Sequence, residues 1–347
     1  MVSANDAPGW RDAQVRDLTA ALRARGHHVT VHHRRRADDD ELYLGDFVDE
    51  LRSEWAGAPP DLVHAHFWRS GLAALLAAQP FGLPVVQSFH GFGRRPDVER
   101  LVGKEAALVL AGGEDELLEL AAANVPRSKI QLLARGVDTR HFDPHGEPAP
   151  RTPAPRVVTF ADPVADNGIA DLVAALPRLP DVRLVVAGTR TGEADRLGRW
   201  ARKLGVEDRV ELFGPVARED LPAFLRSADV VAHVPSHASW DVLPLEAMAC
   251  GVPVLATAVG GLTDAVIDGV TGVLVPPRDL KQLVRTLRLL LHDATLRTSF
   301  GIAAADRVHA RHTWPDVAEA AERHYRRLLD PPVTPRRRSG RAEAGRL

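Results

Sequence analysis

Several residues in this chain are of a type and spacing that could do chemistry. Glu246 follows Pro244 in LPLEAMA. Proline suits the first turn of a helix, where its missing N–H costs nothing, so Glu246 is predicted near a helix N-terminus, where a carboxylate complements the dipole. Gly260 and Gly261 stand just before a predicted helix over residues 262–267. Glycine lets backbone approach a ligand closely, and free N–H groups at a helix start attract phosphate. A Gly-Gly turn alone is weak evidence, because any strand-to-helix turn can use one. His90 closes a predicted strand in PVVQSFH, at the carboxyl end where ligands meet parallel sheets. His64 and His66 alternate along another strand and so project to one face. With His90 they could hold a metal, but no carboxylate or cysteine joins them at ligand spacing. Asp38, Asp39 and Asp40 follow Arg34, Arg35 and Arg36 in a charged run that reads as a solvated loop. Gly91 and Gly93 lack the third glycine of a dinucleotide fingerprint, and neither a Walker-type loop nor a G-x-S-x-G elbow is present.

The elements that must position these residues alternate. Short β-rich runs are predicted at 29–33, 61–67, 84–90, 107–111 and 129–133, with helices at 14–25, 71–79 and 114–123. A proline-rich stretch, DPHGEPAPRTPAPR, spans residues 143–156 and reads as a linker, because proline removes backbone donors and favours extended chain. The pattern then repeats. Strands are predicted at 157–160, 183–188, 210–213, 230–234, 253–256 and 273–275, and helices at 169–176, 193–204, 218–227 and 243–250. Long helices follow at 279–292, 294–310 and 314–329. Residues 331–347 are Pro- and Arg-rich without apolar periodicity and read as a disordered basic tail. The alternation predicts an α/β chain of two doubly wound parallel units facing a central cleft, where the carboxyl ends of the strands would meet a ligand.

Composition narrows the class. The 347 residues suffice for two domains with their own cores. With 44 basic against 46 acidic residues the net charge is −2, which gives no basic field for nucleic acid. One cysteine, Cys250, precludes an intrachain disulfide and is compatible with a reducing cytoplasm. No signal peptide is read at MVSANDAPGW, and no apolar stretch reaches the roughly 20 residues a membrane helix needs. The expectation is a cytoplasmic protein with at most a peripheral membrane contact.

The segment PLEAMACGVPVLATAVGGLTDAVIDGVTGVLVPPRD, residues 244–279, resembles the donor-site core of the family 4 (group 1) glycosyltransferases. DLVHAHFWRSGLAAL, LPVVQSFHGFG and GVDTRHFDP are similar to the acceptor side of the same family, and HTWPDV to the start of its final helix. The resemblance implies the GT-B fold: two Rossmann-like domains with a C-terminal helix crossing back to the first. It places an acceptor-side domain at 1–145 with a clipped first strand, a linker at 146–156, a nucleotide-sugar domain at 157–312 and the crossover helix at 313–330. It implies that Glu246 holds the ribose hydroxyls through paired acceptor oxygens. Val242, Leu243, Gly260, Gly261 and Leu262 would complete the donor site, and His90 would reach the donor sugar as the catalytic-side histidine. It implies a nucleotide-sugar donor, an unknown acceptor, and no metal or other cofactor.

Three positions depart from the family pattern, and each would have supplied charge. Aligned on Gly168, the family's arginine and lysine fall on Asp162 and Asn167, and the first glutamate of its E-x7-E pair falls on Ala238. An aspartate beside a diphosphate repels it. Asp241 lies three positions late, and Gly9-Trp10 replaces a glycine pair near the N-terminus. Arg94, Arg95 or Arg190 could supply charge from another loop. Three readings follow. The first is a metal-independent retaining glycosyltransferase with weakened or lost activity. The second is a non-catalytic relative that binds a nucleotide, a glycan or a partner glycosyltransferase as a scaffold. The third is a sugar-nucleotide epimerase on the same fold.

Overall fold

The computed structural model describes residues 1–3, 10–33, 44–91, 93, 95–161, 168–237 and 242–330. Two six-stranded, wholly parallel sheets organise the chain. The first joins β1 (Val2–Ser3), β2 (His32–His33), β3 (Val63–His66), β4 (Val85–Ser88), β5 (Leu108–Ala111) and β6 (Ile130–Leu132) in the order β2-β1-β3-β4-β5-β6. The second joins β7 (Arg156–Phe160), β8 (Arg183–Ala187), β9 (Val210–Leu212), β10 (Val230–His233), β11 (Val254–Thr257) and β12 (Gly272–Val275) in the order β12-β11-β10-β7-β8-β9. Strands such as LVLA, VVAH and VLAT are buried along their whole length. That is why they read as unbroken apolar runs rather than alternating ones: helices cover both faces of a parallel sheet. The strand order of each sheet reverses at one point, between β1 and β3 in the first and between β7 and β10 in the second. Such switch points open a crevice at the carboxyl ends of the strands.

Helices of the first half are α1 (Trp10–Ala24), α2 (Leu44–Gly57), α3 (Trp68–Ala78), α4 (Pro96–Glu105) and α5 (Glu114–Ala122). Those of the second are α6 (Ile169–Ala175), α7 (Thr191–Lys203), α8 (Leu221–Arg226), α9 (Leu243–Ala249), α10 (Leu262–Ala265), α11 (Leu280–His292) and α12 (Ala294–Arg311). The last, α13 (Trp314–Leu329), returns to the first sheet. Its Trp314, Val317, Ala318, Ala321 and Tyr325 pack with Leu18 and Leu22 of α1 and with Val86, Leu108 and Leu110 of the sheet. Arg25 Nη2 meets Glu322 at 2.6 Å beside this seam. Thr313 caps α13 by accepting from Asp316 N, and Pro315 occupies its first turn.

Several expected boundaries move. Helices α2 and α4 were not anticipated. α2 follows the charged run, and α4 buries only Glu99, Val102 and Gly103, too few apolar positions to show a period. The strand expected at 29–33 contracts to His32–His33. The helix expected at 218–227 contracts to Leu221–Arg226, because residues 218–220 form a turn. The helix expected at 262–267 stops at Ala265, where Arg307 of α12 takes the carbonyls of Asp264 and Ala265 at 2.6 and 3.1 Å. The proline-rich stretch carries no helix or strand before β7. It does not run free: Arg226 Nη1 donates to Asp143 O at 3.0 Å, Ala149 N to Ala223 O at 2.8 Å, and Arg151 pairs with Asp229 at 2.9 Å. The chain crosses between the halves as two adjacent extended segments, bridged in parallel at Val137 and Thr313.

Candidate active site

The carboxyl ends of the two sheets face one another. Glu114 N, at the start of α5 beyond β5, donates to Asp264 Oδ2, in α10 beyond β11, at 2.7 Å. Asp264 thereby caps a helix of the opposite half, a task the extended Gly113 at that N-cap cannot perform for itself. The approach is close: a Cβ on Gly113 would lie 2.3 Å from Asp264 Oδ2. Asp115 beside it is raised in pKa, by burial first and then by the charge of Asp264.

On the second sheet, Glu246 sits in the first turn of α9, which carries Pro244 in that turn. Its side chain is 3% exposed, and Oε1 accepts from Arg218 Nη1 at 2.5 Å. Val242 is the α9 N-cap, and Leu243 and Leu262 bury their side chains in the core beneath. These three residues can therefore offer a ligand backbone rather than side chain. Gly260 adopts φ 55°, and Gly261 is the N-cap of α10, so the turn after β11 needs glycine at its first position.

On the first sheet, His90 follows β4 with φ 55° and stands against Phe67, which follows β3 with φ 69°; the ring centroids are 4.9 Å apart. Two left-handed non-glycine residues in contact mark backbone strain concentrated at the carboxyl end of this sheet. His66 Nδ1 pairs with His90 Nε2 at 2.9 Å. His64 uses both ring nitrogens, toward Tyr325 Oη at 2.7 Å and Ser88 Oγ at 2.9 Å, which leaves it no lone pair for a metal. Among the described residues no group of three or more His, Cys, Asp or Glu side chains could hold a metal ion. Buried carboxylates brace the loops here: Glu99 Oε2 accepts from Gly93 N at 2.7 Å and Glu116 Oε2 from Gly112 N at 2.8 Å.

Burial pushes the His66 imidazole down to about 3 and His64 well below its usual value, so both are neutral when folded. A histidine depressed on folding contributes stability that is complete above about 6.5 and is lost as pH falls below it, because only the unfolded chain takes the proton. Stability should therefore fall by about 2 kcal/mol per buried histidine between pH 6.5 and 5. Urea unfolding at a series of pH values measures this. An unchanged slope in His66→Gln would refute the assignment to His66.

Residues 150–307 match the family Glycosyl transferases group 1, and residues 13–141 match Glycosyltransferase Family 4. The D-inositol 3-phosphate glycosyltransferase of Mycobacterium marinum is 32% identical over 327 residues, covering 84% of this chain and 69% of the relative. That of Mycolicibacterium smegmatis is 33% identical, covering 84% and 74%. The chain belongs to the family 4 (group 1) glycosyltransferases. The fold of this glycosyltransferase is the GT-B fold. Sucrose-phosphate synthase from Thermosynechococcus elongatus superposes with TM-score 0.82 at 24% identity, covering 94% of this chain and 95% of that one. Anabaena HepE, solved with UDP-glucose, superposes at 0.77 with 18% identity, covering 93% and 98%.

The glycosyltransferase thus brings Glu246 and the Gly260-Gly261 turn to one rim of the cleft and His90 to the other. Asp162, Asn167, Ala238, Asp241, Arg94, Gly9, the Asp38–Asp40 run and the tail at 331–347 lie outside the described residues. Among the cations considered as substitutes, Arg190 is the exposed N-cap of α7 and Arg95 precedes α4 with its guanidinium 5.6 Å from the Trp68 ring centre. No helix among the described residues is long and apolar enough to cross a membrane. Sequence reasoning missed Arg218, Asp264 and Glu116. Arg218 and Asp264 act through partners from other elements, so no local spacing marks them, while Glu116 accepts from Gly112 N four residues before it.

Proposed function

We propose that this glycosyltransferase transfers a sugar, with retention and without a metal, from a nucleotide-sugar donor to a hydroxyl of a small phosphorylated polyol in the cytoplasm, and that it turns over slowly. The observation that carries the reading is the buried Glu246 in the first turn of α9, beside a Gly-Gly turn and across the cleft from His90. A carboxylate in that position suits the two ribose hydroxyls, and the backbone N–H groups of the turn suit the leaving diphosphate. Retaining transfer passes through an oxocarbenium-like state while the diphosphate gains charge, and donors aimed at that charge lower the barrier. An anionic acceptor is supported by the relatives that act on D-inositol 3-phosphate and by Arg69 and Arg95, whose guanidinium carbons lie 5.2 and 5.6 Å from the Trp68 ring centre beyond β3. Slow turnover rests on Asp162, Asn167 and Ala238 in place of the family's charges. Each missing charged contact is worth about 2–4 kcal/mol of transition-state stabilisation. The same three residues favour a second reading, a nucleotide-binding relative that no longer transfers sugar.

Calorimetric titration with UDP-, GDP- and ADP-sugars, followed by an assay for donor hydrolysis with and without D-inositol 3-phosphate, tests both. The expected result is binding of one donor, slow hydrolysis, and faster consumption when the acceptor is added. Binding without any turnover selects the second reading. Failure to bind any nucleotide sugar overturns both.

A further inference from the structure

Glu246 does not stand alone in its pocket. A carboxylate taken almost wholly out of water needs a partner to remain ionised. Arg218 provides one, Nη1 to Oε1 at 2.5 Å, from the turn between β9 and α8. Arg218 is itself fixed at both ends. Its guanidinium carbon lies 4.5 Å from the ring centre of Phe142, a fully buried residue, and its main-chain oxygen accepts from His141 Nε2 at 2.8 Å. His141 and Phe142 belong to the segment that leaves the first sheet for the second. The arginine is thus stacked, tethered and aimed before any ligand arrives. A carboxylate has about four acceptor positions, more than one ion pair uses. A planar guanidinium held over a ring loses little freedom on pairing, which a flexible lysine could not match.

We infer that Arg218 is the positioning residue for ribose recognition: it holds the Glu246 carboxylate in the one orientation that receives the two ribose hydroxyls. The inference rests on the donor-binding reading above and extends it to a residue outside the donor-site motif. Loss of Arg218 should weaken the ribose contact selectively and leave contacts to base and phosphate in place.

The test compares two nucleotides on each protein by calorimetry, a ribonucleoside diphosphate and its 2′,3′-dideoxy analogue. UDP and GDP are both tried, and whichever binds the wild type more tightly is used. For the wild type, the ribonucleotide should bind about 100- to 1,000-fold more tightly than the dideoxy form, the range of two hydrogen bonds to a charged group. In Arg218→Ala that preference should collapse to within about threefold, with dideoxy affinity unchanged. Arg218→Lys, which keeps the charge, should retain part of it, and it serves as the test if the alanine variant does not fold. Equal weakening of both nucleotides in the variants would show a merely structural role and overturn the inference, as would an undiminished preference. A wild type that binds neither UDP nor GDP would overturn the donor-binding reading and this inference with it. A wild type that binds while the variant keeps its preference would leave the donor-binding reading standing and sink the inference alone.

Discussion

Replacing Glu246 by alanine should lower donor affinity by about 100- to 1,000-fold while the protein stays folded. Two hydrogen bonds to a charged acceptor contribute about 3–4 kcal/mol together, and each 1.4 kcal/mol is a tenfold change in affinity. Stability should change less. Glu246 is buried, so its removal also removes a charge that had to be desolvated, and Arg218, 39% exposed, can turn its guanidinium to water. Calorimetry with the preferred nucleotide sugar and a thermal unfolding scan separate the two quantities. If the wild type hydrolyses donor measurably and Glu246→Ala abolishes it, the active reading gains and the degenerate one fails. If the variant binds donor as well as the wild type, the ribose does not sit at Glu246.

The second large effect is expected at Gly168. This glycine precedes α6 with φ 64°, and an added Cβ would lie 1.9 Å from the carbonyl oxygen of Val234, just beyond β10. It sits where the switch point between β7 and β10 opens, so its neighbours cannot yield without distorting the crevice. Gly168→Ala should cost about 2–5 kcal/mol, combining left-handed strain of about 1–2 with an overpacking term of about 1–3. Gly205 provides the control. It has φ 65° but nothing within 4 Å of an added Cβ, so Gly205→Ala should lose only the conformational part, about 1–2 kcal/mol. Urea midpoints for the two variants decide the matter. Equal losses would mean that the Val234 contact costs nothing. Donor affinity should fall in Gly168→Ala and stay unchanged in Gly205→Ala.

Much of the architecture was legible because each layer announces itself locally. The apolar runs of β5, β10 and β11 predict strands buried on both faces, and Pro244, Pro315 and Thr313 announce helix starts. Helix α4 was not legible, because most of its surface is polar and its buried Glu99 serves the loop at Gly93 rather than a core. Within the site, Glu246 and the Gly260-Gly261 turn could be found from their own neighbours in sequence. Arg218 could not. Its role depends on Phe142 and Glu246, which come from two other elements.

By itself, then, the order of residues determined an α/β chain with two parallel sheets, a glutamate in the first turn of a helix and a glycine turn at the end of a strand. These follow from continuous apolar runs, from the 3.6-residue period of helices and from backbone permissions that act over a few positions. Tertiary structure alone decided which side chains meet. His66 reaches His90 because β3 lies next to β4, and Asp264 caps α5 because the carboxyl ends of the two sheets face each other. Arg218 reaches Glu246 and stacks on Phe142 because the crossing segment packs against the second sheet's core. The physical reason is range. Local backbone preferences dictate the elements, but strand order and the closure of two halves are set by burying apolar faces that lie far apart along the chain.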